Sequence, residues 1–268
     1  MLSRFATFLH DALRRLPRFR GRNRAIKWLL GFMPTANSFY GPKLAVRAGD
    51  QTFYASYFAR YGDELVGLIK ALPSTGVFLE FGANTGIFSL VAARHLTDGK
   101  VFAVEPNPFV YRDLATNVLI NKARNLTPLN FSIGPVTQAL PFSYSTGHTG
   151  KGHIATDGED AAGHIVLIQA DEFAKLLPDL SAQAVLCKID TEGAEFIILQ
   201  GLRVCGLIDF INTFHMEIDE RYLAKQGHSP DHIYVLMDEC GFAPRQIGAA
   251  NSTMMKFLPG SDERLPAH

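Results

Sequence analysis

The sequence predicts an α/β protein whose mostly parallel sheet is covered by helices on both faces. Three observations lead there. From about Thr75 onward, short apolar runs alternate with stretches of helical period, the pattern of β-α-β units with right-handed crossovers. The 268 residues are 47% hydrophobic and 19% charged, enough to bury a sizeable core. No self-similarity of period 20 to 50 is visible, which excludes a solenoid or propeller. The composition also excludes a disordered chain, a collagen-like repeat and a disulfide-stapled miniprotein.

Taken in order, Val77-Phe78-Leu79-Glu80-Phe81 is a buried-strand run ending in Gly82-Ala83-Asn84-Thr85-Gly86. Ile87, Leu90 and Val91 then recur at helical spacing until Asp98-Gly99. Val101 to Glu105 is a second strand, and Pro106 and Pro108 start a helix through Leu114, Val118 and Leu119. Leu126 to Ile133 is a third strand. The glycine- and histidine-rich stretch 146–163, with His148 and His153, reads as an exposed substrate loop between antiparallel strands at Phe142–Tyr144 and Ile165–Ile168. Asp171 opens a short helix to about Leu177. Ala184 to Asp190 is a strand, Ala194 to Leu202 a helix, and 208–218 contains another strand. Ser229-Pro230 starts a helix to Cys240, with His228 and His232 on the surface. Phe242–Ile247 and Thr253–Leu258 close the sheet as a final pair.

Cys187, Cys205 and Cys240 form no C-x-x-C pair, so neither a disulfide framework nor a zinc site is expected, and a reducing compartment fits. No window approaches 18 uncharged apolar residues, so no membrane-spanning helix is expected. The basic start of the chain is followed by no apolar block with a cleavage site, which predicts a cytoplasmic protein.

In open α/β sheets ligands sit beyond the carboxyl ends of the strands, and those ends carry the chemistry here. Gly82 permits a tight turn, and Gly86 permits close approach to the backbone. Glu105 ends the second strand 23 residues after Gly82, the place where an acid accepts both hydroxyls of a ribose. A dinucleotide pyrophosphate wants a middle glycine, G-x-G-x-x-G; that position is Asn84, and the charge of Glu80 opposes phosphate. S-adenosylmethionine has a ribose, no phosphate and two cationic centres, and fits both acids.

The runs Phe78-Leu79-Glu80-Phe81-Gly82-Ala83-Asn84-Thr85-Gly86, Ala103-Val104-Glu105-Pro106-Asn107-Pro108, Asn117 with Asn121, and Lys188-Ile189-Asp190-Thr191-Glu192-Gly193-Ala194-Glu195 resemble the FkbM family of S-adenosylmethionine-dependent methyltransferases over about 75–245. The last run is the most specific. The resemblance implies a class I methyltransferase (Rossmann-like) fold, a mostly parallel seven-stranded sheet with one antiparallel strand, and O-methylation of a hydroxyl. It implies cofactor binding by Glu80, Gly82, Ala83, Asn84, Gly86, Glu105, Pro106 and Asn107. The chain departs from the family pattern at Glu80, where Asp is usual, and at Ser132, which stands where an acid often lies near the adenine amine.

Asp190, Glu192 and Glu195 lie within six residues at the end of a buried strand. Glu192 and Glu195 also suit a first helical turn, where carboxylates favour the positive end of the dipole. An unpaired Asp190 would be costly there, so it is a general base or a substrate anchor; Lys188 reads as the partner of a neighbouring acid. On the adjacent strand, Glu217 and Asp219 share a face near the substrate, and His215 is a core histidine or a base. Acids on two strand ends could hold Mg²⁺, but the motif requires no metal and none is expected. The acceptor implied is a hydroxyl on a sugar, glycan, lipid or natural product, chosen in part by 140–165. A catalytically silent nucleoside-binding scaffold and an NAD-dependent oxidoreductase are the alternatives.

Basic and acidic residues number 26 each, but 1–32 hold seven Arg and one Lys against Asp11 alone, net +7, leaving net −7 for the rest. Residues 1–74 read as a basic helical extension before the domain at 75–268. Phe5, Phe8, Leu9, Leu13 and Leu16 recur at helical spacing beside Arg14, Arg15, Arg18 and Arg20. Two readings stay open: a cationic helix on an anionic membrane surface, or a stripe docked on the catalytic domain or a second subunit. Nothing else basic accompanies the arm, and no nucleic-acid partner is expected.

Overall fold

The computed structural model describes residues 2–17, 19–145, 147–156, 159–247 and 251–256. The N-terminal part contains α1 (Leu2–Arg15), α2 (Arg22–Leu30), β1 (Thr35–Asn37), β2 (Lys43–Ala45), α3 (Gln51–Tyr57) and α4 (Asp63–Ala71). The alternation read from the sequence follows as β3 (Val77–Phe81), α5 (Ile87–His95), β4 (Lys100–Val104), α6 (Pro108–Asn121) and β5 (Leu126–Leu129). Next come β6 (Ser132–Gly134), β7 (Gln138–Ser145), β8 (His148–Ile154), β9 (Gly163–Gln169) and α7 (Ala170–Ala174). The chain continues through β10 (Val185–Ile189), α8 (Glu195–Val204), β11 (Thr213–Glu217), α9 (Glu220–Lys225), α10 (Pro230–Glu239), β12 (Phe242–Ile247) and β13 (Asn251–Lys256).

Seven strands form the central sheet in the order β12-β13-β11-β10-β3-β4-β5. The strands from β11 to β5 run parallel, and β13 lies antiparallel between β11 and β12. This is the class I methyltransferase arrangement expected from the resemblance. Side-chain alternation splits the core between the two faces. Val77, Leu79, Phe81, Val185, Cys187 and Ile189 face α8, α10 and the second sheet. Phe78, Val101, Ala103 and Leu186 face a cluster that includes Ile26, Leu30, Leu44, Phe53, Tyr57 and Ile69. The first 74 residues thus form part of the cover over one face of the sheet.

Three local readings are corrected. The run 126–133 is two strands: the Asn130 amide Nδ2 donates to the carbonyls of Glu105 (2.8 Å) and Pro106 (3.1 Å), turning the chain out of the main sheet. β6 then joins a four-stranded sheet of order β6-β9-β7-β8. The expected loop is largely strand, because β8 pairs antiparallel with β7 through Phe142 and Ile154; 146, 157 and 158 lie outside the described residues. Its glycines hide the strand period, since Gly152 passes over the ring of Phe142 with no room for a side chain. The strand expected within 208–218 is present as β11 (Thr213–Glu217), preceded by a 3₁₀ turn at 207–210. Glu192 precedes the helix instead of lying in its first turn, as α8 starts at Glu195. The last strand ends at Lys256, and Phe257 and Leu258 lie outside the described residues. Cys187, Cys205 and Cys240 are free.

The turn after β3 determines where the site opens. Gly82 has φ 79°, and a Cβ there would lie 1.8 Å from the Asp190 carbonyl oxygen, a backbone atom that cannot swing aside. Gly82→Ala should cost about 3 kcal/mol, combining left-handed strain with overpacking. Urea unfolding measures this; an unchanged midpoint would show that β3 and β10 separate easily.

Candidate active site

The strand order turns back between β3 and β10, and two connected cavities open at the carboxyl ends there, as expected at a topological switch point. The first is walled by the 82–85 turn, Glu80, Glu105, Pro106, Asn107, Lys188 and Asp190. The second, of about 600 Å³, lies beyond it and is walled by Lys27, Tyr54, Arg60, His148, Glu192 and Glu217. That volume is in the range of small-molecule sites. Asp190 and Glu192 line both.

Of the residues expected to bind the cofactor, Glu80, Gly82, Ala83, Asn84, Glu105, Pro106 and Asn107 line the first cavity; Gly86 and Ser132 do not. Gly86 serves helix packing, since a Cβ there would meet Leu114 of α6 at 2.4 Å. Ser132 is buried in β6, opposite Leu167 of the second sheet. Its displacement follows from the turn at Asn130.

Lys188 is 5% exposed. Its ammonium lies 3.3 Å from Glu80 Oε1 and 3.1 Å from Asp190 Oδ2, and it donates to the Gly82 carbonyl at 3.3 Å. Burial opposes its charge, but the Asp190 and Glu80 carboxylates outweigh that and hold its pKa above the usual range. Glu80 itself is fully buried and pushed up by burial, with Ser89 donating to its other oxygen. Glu80 therefore balances Lys188 from within the wall.

Glu105 accepts backbone N–H bonds from Asn84 and Asn107, each at 2.9 Å, one on each oxygen. Each oxygen keeps a further lone pair for a hydroxyl donor. Burial pushes its pKa up to about 7 despite these bonds. Two other buried polar atoms in this wall, Thr85 Oγ1 and Asn107 Nδ2, have no hydrogen-bond partner among the described residues. Buried polar groups are normally satisfied, so these atoms fit a polar ligand.

The three acids after β10 have separate duties. Glu195 is 1% exposed and accepts from the amides of Thr191 and Gly193, so it organises the turn before α8. That leaves Asp190 and Glu192 facing the cavities. Glu192 adopts φ 53°, a left-handed conformation uncommon for a residue with a side chain. Burial, then the nearby Asp190 and Glu217 carboxylates, push its pKa to about 8; Glu217 is raised to about 7, first by burial and then by Asp190. Asp219 leaves this group, capping α9 through the Arg221 amide and pairing with the Arg221 guanidinium. His215 lines neither cavity: its Nδ1 meets Thr253 Oγ1 at 3.2 Å, and that hydroxyl donates to Glu64 at 2.7 Å. It is a satisfied core histidine.

Sequence reasoning missed the cavity residues of the N-terminal part, among them Lys27, Thr52, Tyr54 and Arg60. They sit in no motif. The signal lay in the attachment of that part of the chain, in Asn117 and Asn121. Asn117 accepts from the Ala45 amide (2.7 Å) and donates to the Thr85 carbonyl (2.8 Å), while Asn121 bonds both backbone groups of Lys43. Asp50 caps α3 and accepts from Thr149 Oγ1 at 2.8 Å, tying the N-terminal cover to β8 over the cavities.

A family model for the methyltransferase FkbM domain matches residues 80–244, more than half of the chain. The chain belongs to the FkbM methyltransferase family. This FkbM protein is 26% identical over 163 residues to methyltransferase sdnD of Sordaria araneosa, a match covering 50% of the chain and 63% of that relative's length. Among solved structures, similarity extends to a precorrin-6y C5,15-methyltransferase of Geobacter metallireducens, at 14% identity and TM-score 0.41, covering 72% of this chain and 89% of that one. It also extends to TYW2 of M. jannaschii in complex with AdoMet, at 12% identity and TM-score 0.42, covering 83% and 86%. The fold and family are those of S-adenosylmethionine-dependent methyltransferases, and the first cavity fits that cofactor: a carboxylate for ribose, and Thr85 Oγ1 and Asn107 Nδ2 for further polar atoms.

The raised pKa of Glu192 has a stability consequence. With a folded pKa of about 8 against 4.5 when unfolded, the native state holds the extra proton between these values, so stability present at low pH is lost as pH rises through 8. Glu192→Gln removes the titration. The mutant's melting temperature minus that of the FkbM wild type should therefore increase between about pH 5 and 8 and level off above that. A pH-independent difference would place Glu192 in bulk solvent.

Proposed function

We propose that this protein transfers a methyl group from S-adenosylmethionine to a hydroxyl of a sugar, glycan, lipid or natural product. One observation carries the reading: the Asp190 carboxylate stands where the two cavities meet, held by Lys188 at 3.1 Å. S-adenosylmethionine supplies an already activated methyl carbon. The chain's work is to hold an acceptor oxygen in line with that carbon, exclude water and take a proton. Alignment of this kind is worth roughly 7 to 11 kcal/mol in favourable cases.

Glu105, with Asn107 and the 82–85 turn, holds the nucleoside. Asp190 accepts the hydroxyl proton as the oxygen–carbon bond forms and the carbon–sulfur bond breaks. When Asp190 is neutralised, Glu80 remains as counter-charge to Lys188, so the buried ammonium is not left unpaired. Glu192, with its pKa raised to about 8, carries a proton at neutral pH and donates a hydrogen bond to an acceptor oxygen beyond the reacting one. Glu217, raised to about 7, does so in its protonated fraction.

Two substitutions separate binding from chemistry. Glu105→Ala should weaken S-adenosylhomocysteine binding by about 1 to 3 kcal/mol, the cost of hydroxyls left without a charged acceptor, as measured by calorimetry. Asp190→Asn should leave that affinity and the melting temperature nearly unchanged and lower single-turnover methyl transfer about 10²-fold or more. Glycan and lipid extracts with labelled donor supply the acceptor. A near-wild-type rate for Asp190→Asn would move the base to Glu192 or Glu217. Binding of NAD but not of S-adenosylhomocysteine would overturn the methyltransferase reading in favour of an oxidoreductase.

A further inference from the structure

Helix α1 is apolar on two faces, and only one of them is used. Ala6, Leu9, His10 and Leu13 pack onto the protein. His10 is fully buried and hydrogen-bonds the Tyr57 hydroxyl, while Arg14 donates to the Ser38 carbonyl at 2.7 Å and stacks on Phe39. The helix is therefore docked firmly. Phe5 (61% exposed) and Phe8 (70%) on α1, and Leu16 (49%) just after its last turn, lie open to solvent. Phe19, Trp28 and Phe32, close by in sequence and on or beside the neighbouring α2, are also exposed, and Trp28 and Phe32 meet edge to face. Aromatic side chains at this density on a surface mark an interaction site.

The charge around these residues identifies the partner. Arg15, Arg20 and Arg24 are exposed, and no described acid pairs with them. The one acid of residues 1–32, Asp11, is engaged with His10 at 2.9 Å. A two-fold contact with a second copy would bring two segments of net +7 together, which like-charge repulsion opposes. An anionic bilayer neutralises those charges while its acyl boundary takes the aromatic rings. No helix among the described residues is long and apolar enough to cross a membrane, so the contact lies in the interface plane. We infer that the exposed face of α1, with Phe19, Trp28 and Phe32, is a docking surface for anionic lipid membranes.

The test uses the full chain and does not depend on catalysis, so its failure would leave the methyltransferase reading untouched. The protein should co-sediment with phosphatidylcholine vesicles containing phosphatidylglycerol and hardly at all with phosphatidylcholine alone. High salt should weaken the binding. Phe5→Glu with Phe8→Glu should reduce vesicle affinity about tenfold or more, and so should Arg15→Glu, Arg20→Glu and Arg24→Glu together. Each variant should keep the wild-type melting temperature, since these side chains face solvent. Failure to bind anionic vesicles, or binding unaffected in both folded variants, would overturn the inference. So would sedimentation velocity showing a dimer that Phe8→Glu dissociates, which would assign the face to a second copy.

Discussion

Everything at the functional end of this protein depends on one buried ammonium. Lys188 on β10 stands in register with Glu80 on β3, and its side chain reaches Asp190 at the end of its own strand and the Gly82 carbonyl at the end of β3. Three charged groups at a strand end are costly to bury, and removing the ammonium between the two acids would cost about 3 to 5 kcal/mol because the buried Glu80 carboxylate is left unpaired. The cost fixes the geometry. β3 and β10 are the strands between which the sheet order turns back, so clamping their ends together sets the width of the opening. The same cation orients Asp190, one of the two carboxylates that line both cavities. Sheet order, cavity position and the proposed proton acceptor are thus one arrangement.

The legible parts of this molecule were those in which a side chain's chemistry and its strand position spoke together. The place of Glu105 in the wall of the first cavity was readable because it ends a strand at a fixed distance from a glycine turn. Asp190 was readable because its strand had to be buried. Lys188 was readable for the same reason. Ser132 was misplaced because the reading ran a strand through Asn130, whose turn-forming role depends on two carbonyls brought there by the strand before it. The β8 strand was hidden because its periodic positions are occupied by glycine, histidine and lysine, chosen for what passes above and below them and not for hydrophobicity. Glu192 and Glu195 could not be told apart without knowing which carboxylate the turn amides would take.

The N-terminal cover was the least legible region, yet it builds much of the second cavity. Its attachment is polar: Asn117, Asn121 and Asp50 reach across long sequence separations to backbone groups and a threonine. Such bonds leave no hydrophobic period to read. They do explain why two asparagines on α6 belong to the motif that resembles the family while facing away from the cofactor wall. Asn117 holds the cover with its carbonyl oxygen and the glycine turn with its amide, so one side chain joins the two.

Glu192 carries a further implication for anyone engineering this chain. A carboxylate residue at φ 53°, in a turn followed by Gly193 at φ 106°, pays backbone strain and carboxyl desolvation to remain where it is. Replacement by glycine would relieve both at once, and stability-guided redesign would be drawn to this position early. The gain would come from deleting the side chain that faces both cavities. On the proposed function, thermal robustness and acceptor recognition compete at this residue, and a sturdier protein obtained there would be a poorer enzyme.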